Sequence, residues 1–247
     1  MSAEEVVASV KNTAVVAAAK LHRARYRRAT GRTLIEGPAT LAEAVQAGHR
    51  VHEVFGLDEM ARAMAREAGS VFHQVTGRVL QRVAGTETPR GPVAVIAIPD
   101  PVIPVDRPVL VAWGVSDPGN CGTLLRTAAA FGYGYVAGPE SADSWSPKVL
   151  RSAAGGHFRT TVGQVVAVAD LGRREIIGTV PSGGQAAGPI SAHAAIVVGS
   201  EAHGLPPEVL ERCDLLVSIS MPGGSESLNA AVAGAIVAYL GTMGAED

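Results

Sequence analysis

The segment SDPGNCGTLLRTA, residues 116 to 128, joins turn chemistry at Asp117-Pro118-Gly119-Asn120 to an arginine one turn into a helix. Gly122 would let a main-chain N–H approach an oxygen-rich group at the helix start, and the Arg126 guanidinium can fork onto a phosphate. Taken alone, a solvated helix arginine looks the same. A second polar group, Glu201, follows directly on an apolar strand in AAIVVGSEAHGL, inside a tight loop bracketed by Gly199 and Gly204. It reads either as an acidic helix cap or as a carboxylate that orients a polar ligand or Arg126. A third junction, SISMPGGSESLNAAVAGAIVAYL (218 to 240), passes from an apolar strand through Gly223-Gly224 into an Ala-rich helix, with Ser227 and Asn229 at its start. The two glycines admit φ > 0 or a close backbone approach to a ligand, and Ser225 or Ser227 can cap the helix. EIIGTVPSGG offers a further strand exit at Thr179-Val180-Pro181. His203 is a loop histidine with no fixed partner and stays outside the candidate site.

A different kind of signal lies near the N-terminus. Lys20, Arg23, Arg25, Arg27, Arg28 and Arg32 fall within thirteen residues with no acid among them, and His22 and Tyr26 sit between them. A one-sided basic run is either a solvated face or a phosphate-binding footprint. The formal net charge of −2 argues neither way. Lys148, Arg151 and Ser152 ahead of Gly155-Gly156 form a weaker polar group.

The elements that would carry these residues alternate. A helix is expected from residue 1 to about 28, followed by strand TLIEG, helix PATLAEAVQAG, strand VHEVFGL, helix DEMARAMAREAG, strand VFHQV, helix TGRVLQRVAG and strand PVAVIAI. Residues 1–98 therefore read as a small α/β domain. Four prolines within residues 99–108 mark a semi-rigid linker. From 109 to 247 the uniformly apolar strands VLVAWGV, YGYVAG, EIIGTV, AAIVVGS and LLVSISM indicate a parallel sheet covered on both faces. Helices are expected at CGTLLRTAAAFG, SWSPKVLRSAAGG, QVVAVADLGRR and PPEVLERC. In such a sheet, ligands bind beyond the C-terminal ends of the strands, where the polar groups above are found.

Two cysteines, Cys121 and Cys213, form no disulfide framework and no metal-ligand spacing. Apolar runs fall short of the ~20 residues of a spanning helix, and MSAEEVVASVKN lacks the pattern of a secretory signal. A cytoplasmic protein without membrane or metal is expected. No GxGxxG, Walker phosphate loop, HExxH or GxSxG occurs, which removes the commonest nucleotide, zinc and hydrolase readings.

In order and spacing, DPGNCGTLLRTAAAFG, IVVGSEAHGL and ISMPGGSESLNAAVAGAIVAYL resemble the three signature motifs of the SpoU (TrmH-like) RNA ribose 2'-O-methyltransferases of the SPOUT superfamily. RRATGRTLIEGPATLAEAVQAG resembles, more loosely, the family's L30e-like RNA-binding domain. The layout is similar to the members that modify ribosomal RNA. The resemblance implies a C-terminal trefoil-knotted parallel-sheet domain, a smaller N-terminal L30e-like α/β domain and a homodimer. It also implies S-adenosylmethionine held by Thr179, Val180, Pro181, Gly199, Ser200, Glu201, Gly204, Ile219, Met221, Ser227 and Leu228. Arg126, Asn120, Glu201, Ser227 and Asn229 match the family's catalytic polar positions. Structured RNA would be held by Arg23, Arg25, Arg27, Arg28, Arg32, Arg126 and Arg151. Ala202 and Ala153 depart from the usual glycine and serine of the family. The competing readings are an RNA-binding protein of this fold without catalysis and a transfer RNA 2'-O-methyltransferase.

Overall fold

The computed structural model describes residues 6–243. Two compact units divide the chain between Asp100 and Pro101, the first also taking in Trp145–Pro147. The long first helix expected from the sequence is two shorter ones, and its residues 1–5 lie outside the described residues. Val7 instead bridges Val75 in parallel. Helix α1 (Thr13–Lys20) starts where the Asn12 carboxamide oxygen accepts the Ala14 N–H at 2.9 Å. Arg23 then takes an extended backbone, φ −99° and ψ 128°, before α2 (Ala24–Thr30). Gly31 ends α2 at φ 62°, a left-handed conformation that a side chain resists.

The rest of this unit keeps the expected alternation: β1 (Arg32–Glu36), α3 (Pro38–Gln46), β2 (Val51–Gly56), α4 (Glu59–Glu67), β3 (Val71–Gln74), α5 (Gly77–Ala84) and β4 (Val93–Ala97). The sheet runs β1-β4-β2-β3, with β4 antiparallel to β1 and β2, and β3 parallel to β2. Val15, Ala18 and Leu21 from α1 and its end meet Val79, Leu80 and Val83 of α5 over Phe55 and Val95, all buried. This packing anchors the basic segment to α5.

The second unit contains β5 (Val109–Ala112), α6 (Pro118–Ala130), β6 (Gly134–Ala137), α7 (Pro147–Ala153), β7 (Val162–Gln164), β8 (Glu175–Thr179), β9 (Gln185–Ala186), β10 (Ala194–Val198), α8 (Pro207–Leu210), β11 (Leu215–Ser218) and α9 (Ala230–Thr242). The strands lie in the order β7-β6-β5-β10-β8-β11-β9, and each neighbouring pair is parallel. The helix expected at QVVAVADLGRR is absent. Gln164 ends edge strand β7, and a short 3-10 turn at Val168–Leu171 follows. The Asp170 carboxylate accepts the Val166 and Ala167 N–H groups, each at 2.9 Å, and closes that turn locally. PPEVLERC likewise yields only the single turn of α8.

Helix α9 is apolar around its whole circumference, and its small residues serve contact within the unit. A Cβ on Gly234 would lie 2.5 Å from Leu124 Cδ2 and 3.0 Å from Val198 Cγ2. Tyr133, 1% exposed, donates its hydroxyl to the Ala238 carbonyl at 2.9 Å. Burial pushes the Tyr133 phenol up to about 12 and raises that of buried Tyr135 as well. An unfolded phenol ionises near ~10, so the stability these groups contribute is complete below that pH and is lost as pH rises through about 12. Phenolate absorbance should therefore rise with cooperative alkaline unfolding. A complete phenol titration near pH ~10 in still-folded protein would contradict this.

Candidate active site

The strand order reverses between β5 and β10. From β5 the chain moves outward through β6 and β7, while β8, β10 and β11 lie on the other side. The crevice beyond the C-terminal ends of such a strand pair is where open parallel sheets bind ligands. Side chains from three separate segments meet there. Asp117 caps α6 by accepting the Asn120 N–H at 2.9 Å, which fixes Asn120 in the first turn. Asn120 Nδ2 donates to Glu201 Oε1, and Asn229 Nδ2 donates to Asn120 Oδ1 at 3.0 Å. Asn229 also caps α9, accepting the Ala231 and Val232 N–H groups at 3.0 and 3.2 Å. The cap expected at Ser225 or Ser227 is thus made by Asn229. Its carboxamide oxygen holds the helix while its nitrogen faces Asn120.

Beside this chain of hydrogen bonds lies a cavity of about 610 Å³, a volume suited to a small-molecule ligand. Thr179, Val180, Pro181, Gly199, Ser200, Glu201, Gly204, Ile219, Met221, Ser227 and Leu228 all line it, together with Asn229. Its apolar floor, Val198, Leu205, Leu210, Val217 and Val237, is formed by core residues that the sequence reading did not assign to the site. Their signal was only that of buried strand and helix. His203, set aside on sequence, also lines the cavity, and its N–H donates to Ser200 Oγ at 3.2 Å.

The loop after β10 is closed by paired main-chain bonds. Ser200 and Gly204 exchange N–H···O bonds of 3.1 and 2.9 Å, and Gly204 sits at φ +66°. A Cβ on Gly199 would lie 2.4 to 2.6 Å from main-chain atoms of Gly204 and Leu205. Glycine at 199 is therefore required for the loop to close on itself.

Among the described residues, the lining contains one carboxylate, Glu201, and no lysine or arginine. A polyphosphate nucleotide would enter such a site without compensation for its charge. S-adenosylmethionine fits better. Its adenine and ribose match an apolar floor edged by main-chain polar groups, and its sulfonium and amino group carry positive charge toward a wall whose only carboxylate is Glu201.

Arg126 lies on the exposed strip of α6, one turn beyond exposed Thr123, and is not part of the cavity wall. The role expected for Gly122 is corrected. Its Cβ would lie 2.4 Å from Ser152 Cβ and 2.9 Å from the Ala153 nitrogen, so it allows α6 to pack on α7. The Ser152 hydroxyl donates to the Gly119 carbonyl at 2.8 Å at the same contact. Gly156 performs a similar task beneath Arg126, since a Cβ there would come within 3.2 Å of the Arg126 Cα.

Of the arginines expected to meet RNA, Arg23, Arg25, Arg28 and Arg151 are exposed and Arg32 is half-buried. Arg27 is corrected. It is 3% exposed and donates to the Leu21 carbonyl at 2.8 Å, because its position on α2 faces the helix before it. Its charge is spent on closing the α1–α2 corner. Among the described residues, no helix is long and apolar enough to cross a membrane.

Comparison with known proteins places these features in context. Residues 107–239 match the SpoU rRNA Methylase family, and residues 12–94 match an MRM3-like substrate binding domain. The chain is 35% identical over 241 residues to the 23S rRNA (guanosine(2553)-2'-O)-methyltransferase RlmP of Bacillus subtilis, covering 94% of this chain and 97% of that protein. Its fold is similar to that of an AdoMet-bound rRNA methyltransferase from Sinorhizobium meliloti, with a TM-score of 0.87, 23% identity and coverage of 98% and 99%. It is also similar to the SpoU methyltransferase AviRb of Streptomyces viridochromogenes in complex with AdoMet, with a TM-score of 0.86, 25% identity and coverage of 95% and 98%. The parallel sheet, the motifs gathered at its strand ends and these matches over nearly the whole length agree, and the chain belongs to the SpoU rRNA methylase family.

Proposed function

We propose that this protein transfers a methyl group from S-adenosylmethionine to a ribose 2'-hydroxyl of ribosomal RNA. The observation that carries the reading is convergence: residues from the exits of β8, β10 and β11 and the start of α9 line one cavity, with Asn120, Glu201 and Asn229 linked by hydrogen bonds at its edge. Bound S-adenosylmethionine supplies an electrophilic methyl on a good leaving group. The chain must then supply alignment and proton removal, and alignment alone can be worth ~7 to 11 kcal/mol.

The network gives each residue a task. Asn120 fixes the Glu201 carboxylate and Asn229 fixes Asn120, so the carboxylate is held against the cavity rather than left to rotate in solvent. Ser227, also on the wall, adds a hydroxyl to the polar groups there. Arg126, outside the wall and exposed, is placed for the RNA: it orients a phosphate and stabilises the charge that develops on the 2'-oxygen. A guanidinium keeps its proton and is a poor general base, so the proton passes to a phosphate or water. A second hollow shares Ser200 to Gly204 with the first and is lined also by Trp113, Ser116 and Glu140. That shared wall gives an acceptor strand a route to the cofactor.

The non-sequential order β10-β8-β11-β9 and the packing of α9 on β10 support the trefoil knot. Val232 and Tyr239 on α9, Met243 at its end and Phe131 beside them are exposed, with the Phe131 and Tyr239 rings 5.8 Å apart. This apolar strip supports a homodimer. A cytoplasmic location without metal follows from the substrate and the chemistry. Division of labour at the Pro-rich residues 99–108, with RNA held by the first unit, is part of the same proposal.

Incubation of the full chain with tritiated S-adenosylmethionine and in-vitro transcribed 23S rRNA tests the function. Label retained as an alkali-resistant 2'-O-methyl dinucleotide is expected. RNA binding without label, or label on transfer RNA alone, would refute it.

A further inference from the structure

We propose that a basic hollow on the first unit, where α1, α2 and α5 meet, clamps one phosphodiester of the RNA substrate; this rests on the reading of the protein as an RNA methyltransferase. The hollow has a volume of about 380 Å³, and Lys20, His22, Arg23, Tyr26, Arg82 and Gly85 line it. Its remaining lining residues are Val16 and Ala19, so no carboxylate among the described residues lines it beside the three cations. Lys20, Arg23 and Arg82 enter none of the ion pairs among the described residues.

Lys20 is held in place without an acid beside it among the described residues. Lys20 Nζ stands 5.4 Å from the centre of the Tyr26 ring, and the Arg25 guanidinium stands 4.7 Å from it on the same aromatic residue. An aromatic face holds a cation in place yet leaves its full charge available. The floor is equally fixed. His22 Nε2 donates to the Val83 carbonyl at 2.8 Å, at the end of α5. Gly85, at φ +69°, leaves room for that imidazole, since a Cβ there would lie 2.8 Å from the ring. Three like charges converging on one concavity repel each other, and an anion with several acceptor oxygens relieves that repulsion. A phosphodiester is the anion that an RNA substrate brings.

This site differs from the linear basic run. Arg27 is turned into the protein, and Arg25 lies over Tyr26 with an Nη2 to Oη contact of 3.1 Å. Arg82, on a helix far along the chain, enters instead. Only folding brings it beside Lys20 and Arg23.

Binding of in-vitro transcribed 23S rRNA to the full chain, measured over a salt series without S-adenosylmethionine, tests the clamp. Arg82→Ala is compared with Arg66→Ala, an equal charge change at an exposed position of α4, and the pair Lys20→Ala/Arg23→Ala, which removes two charges, is a second pocket variant. The pocket variants should bind about tenfold more weakly, and log K should depend on log salt with a slope shallower by about 1, as for one lost phosphate contact. Arg66→Ala should stay within about twofold of the parent, since it leaves that contact intact. Arg82→Lys should recover most of the affinity, and the melting temperatures should match.

Pocket variants that behave like Arg66→Ala would overturn the clamp, as would saturation by inorganic phosphate with no difference among variants in RNA binding. Parallel methyl-transfer assays separate the two proposals. Normal methylation with no pocket-dependent binding removes the clamp alone. Pocket-dependent binding without methylation by the parent removes the proposed function alone.

Discussion

Arg126→Ala is expected to slow methyl transfer by about 10²–10³-fold, the loss seen when one preorganised charge-stabilising donor is removed, while S-adenosylmethionine affinity stays near that of the parent. The split follows from placement. Arg126 is exposed on α6 and contributes nothing to the cavity wall. Its removal leaves Glu201, Asn120 and Asn229 linked as before, and the helix keeps its Asp117 cap. Arg126→Lys tests the geometry further: it keeps the charge but loses the forked donor pair, so most of the defect should remain. Single-turnover kinetics and calorimetry read the two quantities separately. Normal turnover by the alanine variant would remove Arg126 from the chemistry, and parallel loss of cofactor binding would place it in the cofactor site instead.

The second large effect is expected from the smallest substitution. Gly199→Ala adds one methyl group at a position where a Cβ would come 2.4 Å from the Gly204 carbonyl carbon and 2.6 Å from the Leu205 nitrogen. Those neighbours are main chain and cannot rotate away. The loop must open, breaking the paired bonds between Ser200 and Gly204 and displacing Glu201 from Asn120. Overpacking of this kind costs about 1–3 kcal/mol. If that cost falls on the ligand-competent loop, S-adenosylmethionine affinity drops by about 5- to 150-fold. Gly188→Ala, where no atom lies within 4 Å of the added Cβ, is the matched control and should bind normally. Equal affinity of the two variants would show that the loop tolerates the methyl group and does not shape the cofactor site.

Much of this architecture is legible in the residues, because the relevant signals are local. Uniform apolar runs such as AAIVV mark strands covered on both faces, and the polar groups following them mark the C-terminal edge. The readings that failed depended on competition between local structures. QVVAVADLGRR has helical composition, but the Asp170 carboxylate captures two backbone N–H groups and the strand before it joins β6. Ser225, Ser227 and Asn229 are all good cap residues by type. Asn229 prevails because the same carboxamide also reaches Asn120, a partner more than one hundred residues away. Arg27 is indistinguishable from its neighbours as a letter in a basic run, and only the turn between α1 and α2 directs it inward.

By itself, then, the sequence determined the alternation of elements, the parallel character of the second sheet and the identity of the polar groups at its strand exits. Each of these follows from hydrophobic period, turn chemistry and the order of residues along the chain. Tertiary structure alone decided that Gly122 and Gly199 answer to packing against other backbone, and that one asparagine joins two motifs through Asn120. It also set Arg82 beside Lys20. These are distances between segments remote in sequence, set by how closely helices and loops can approach, and no local pattern encodes them.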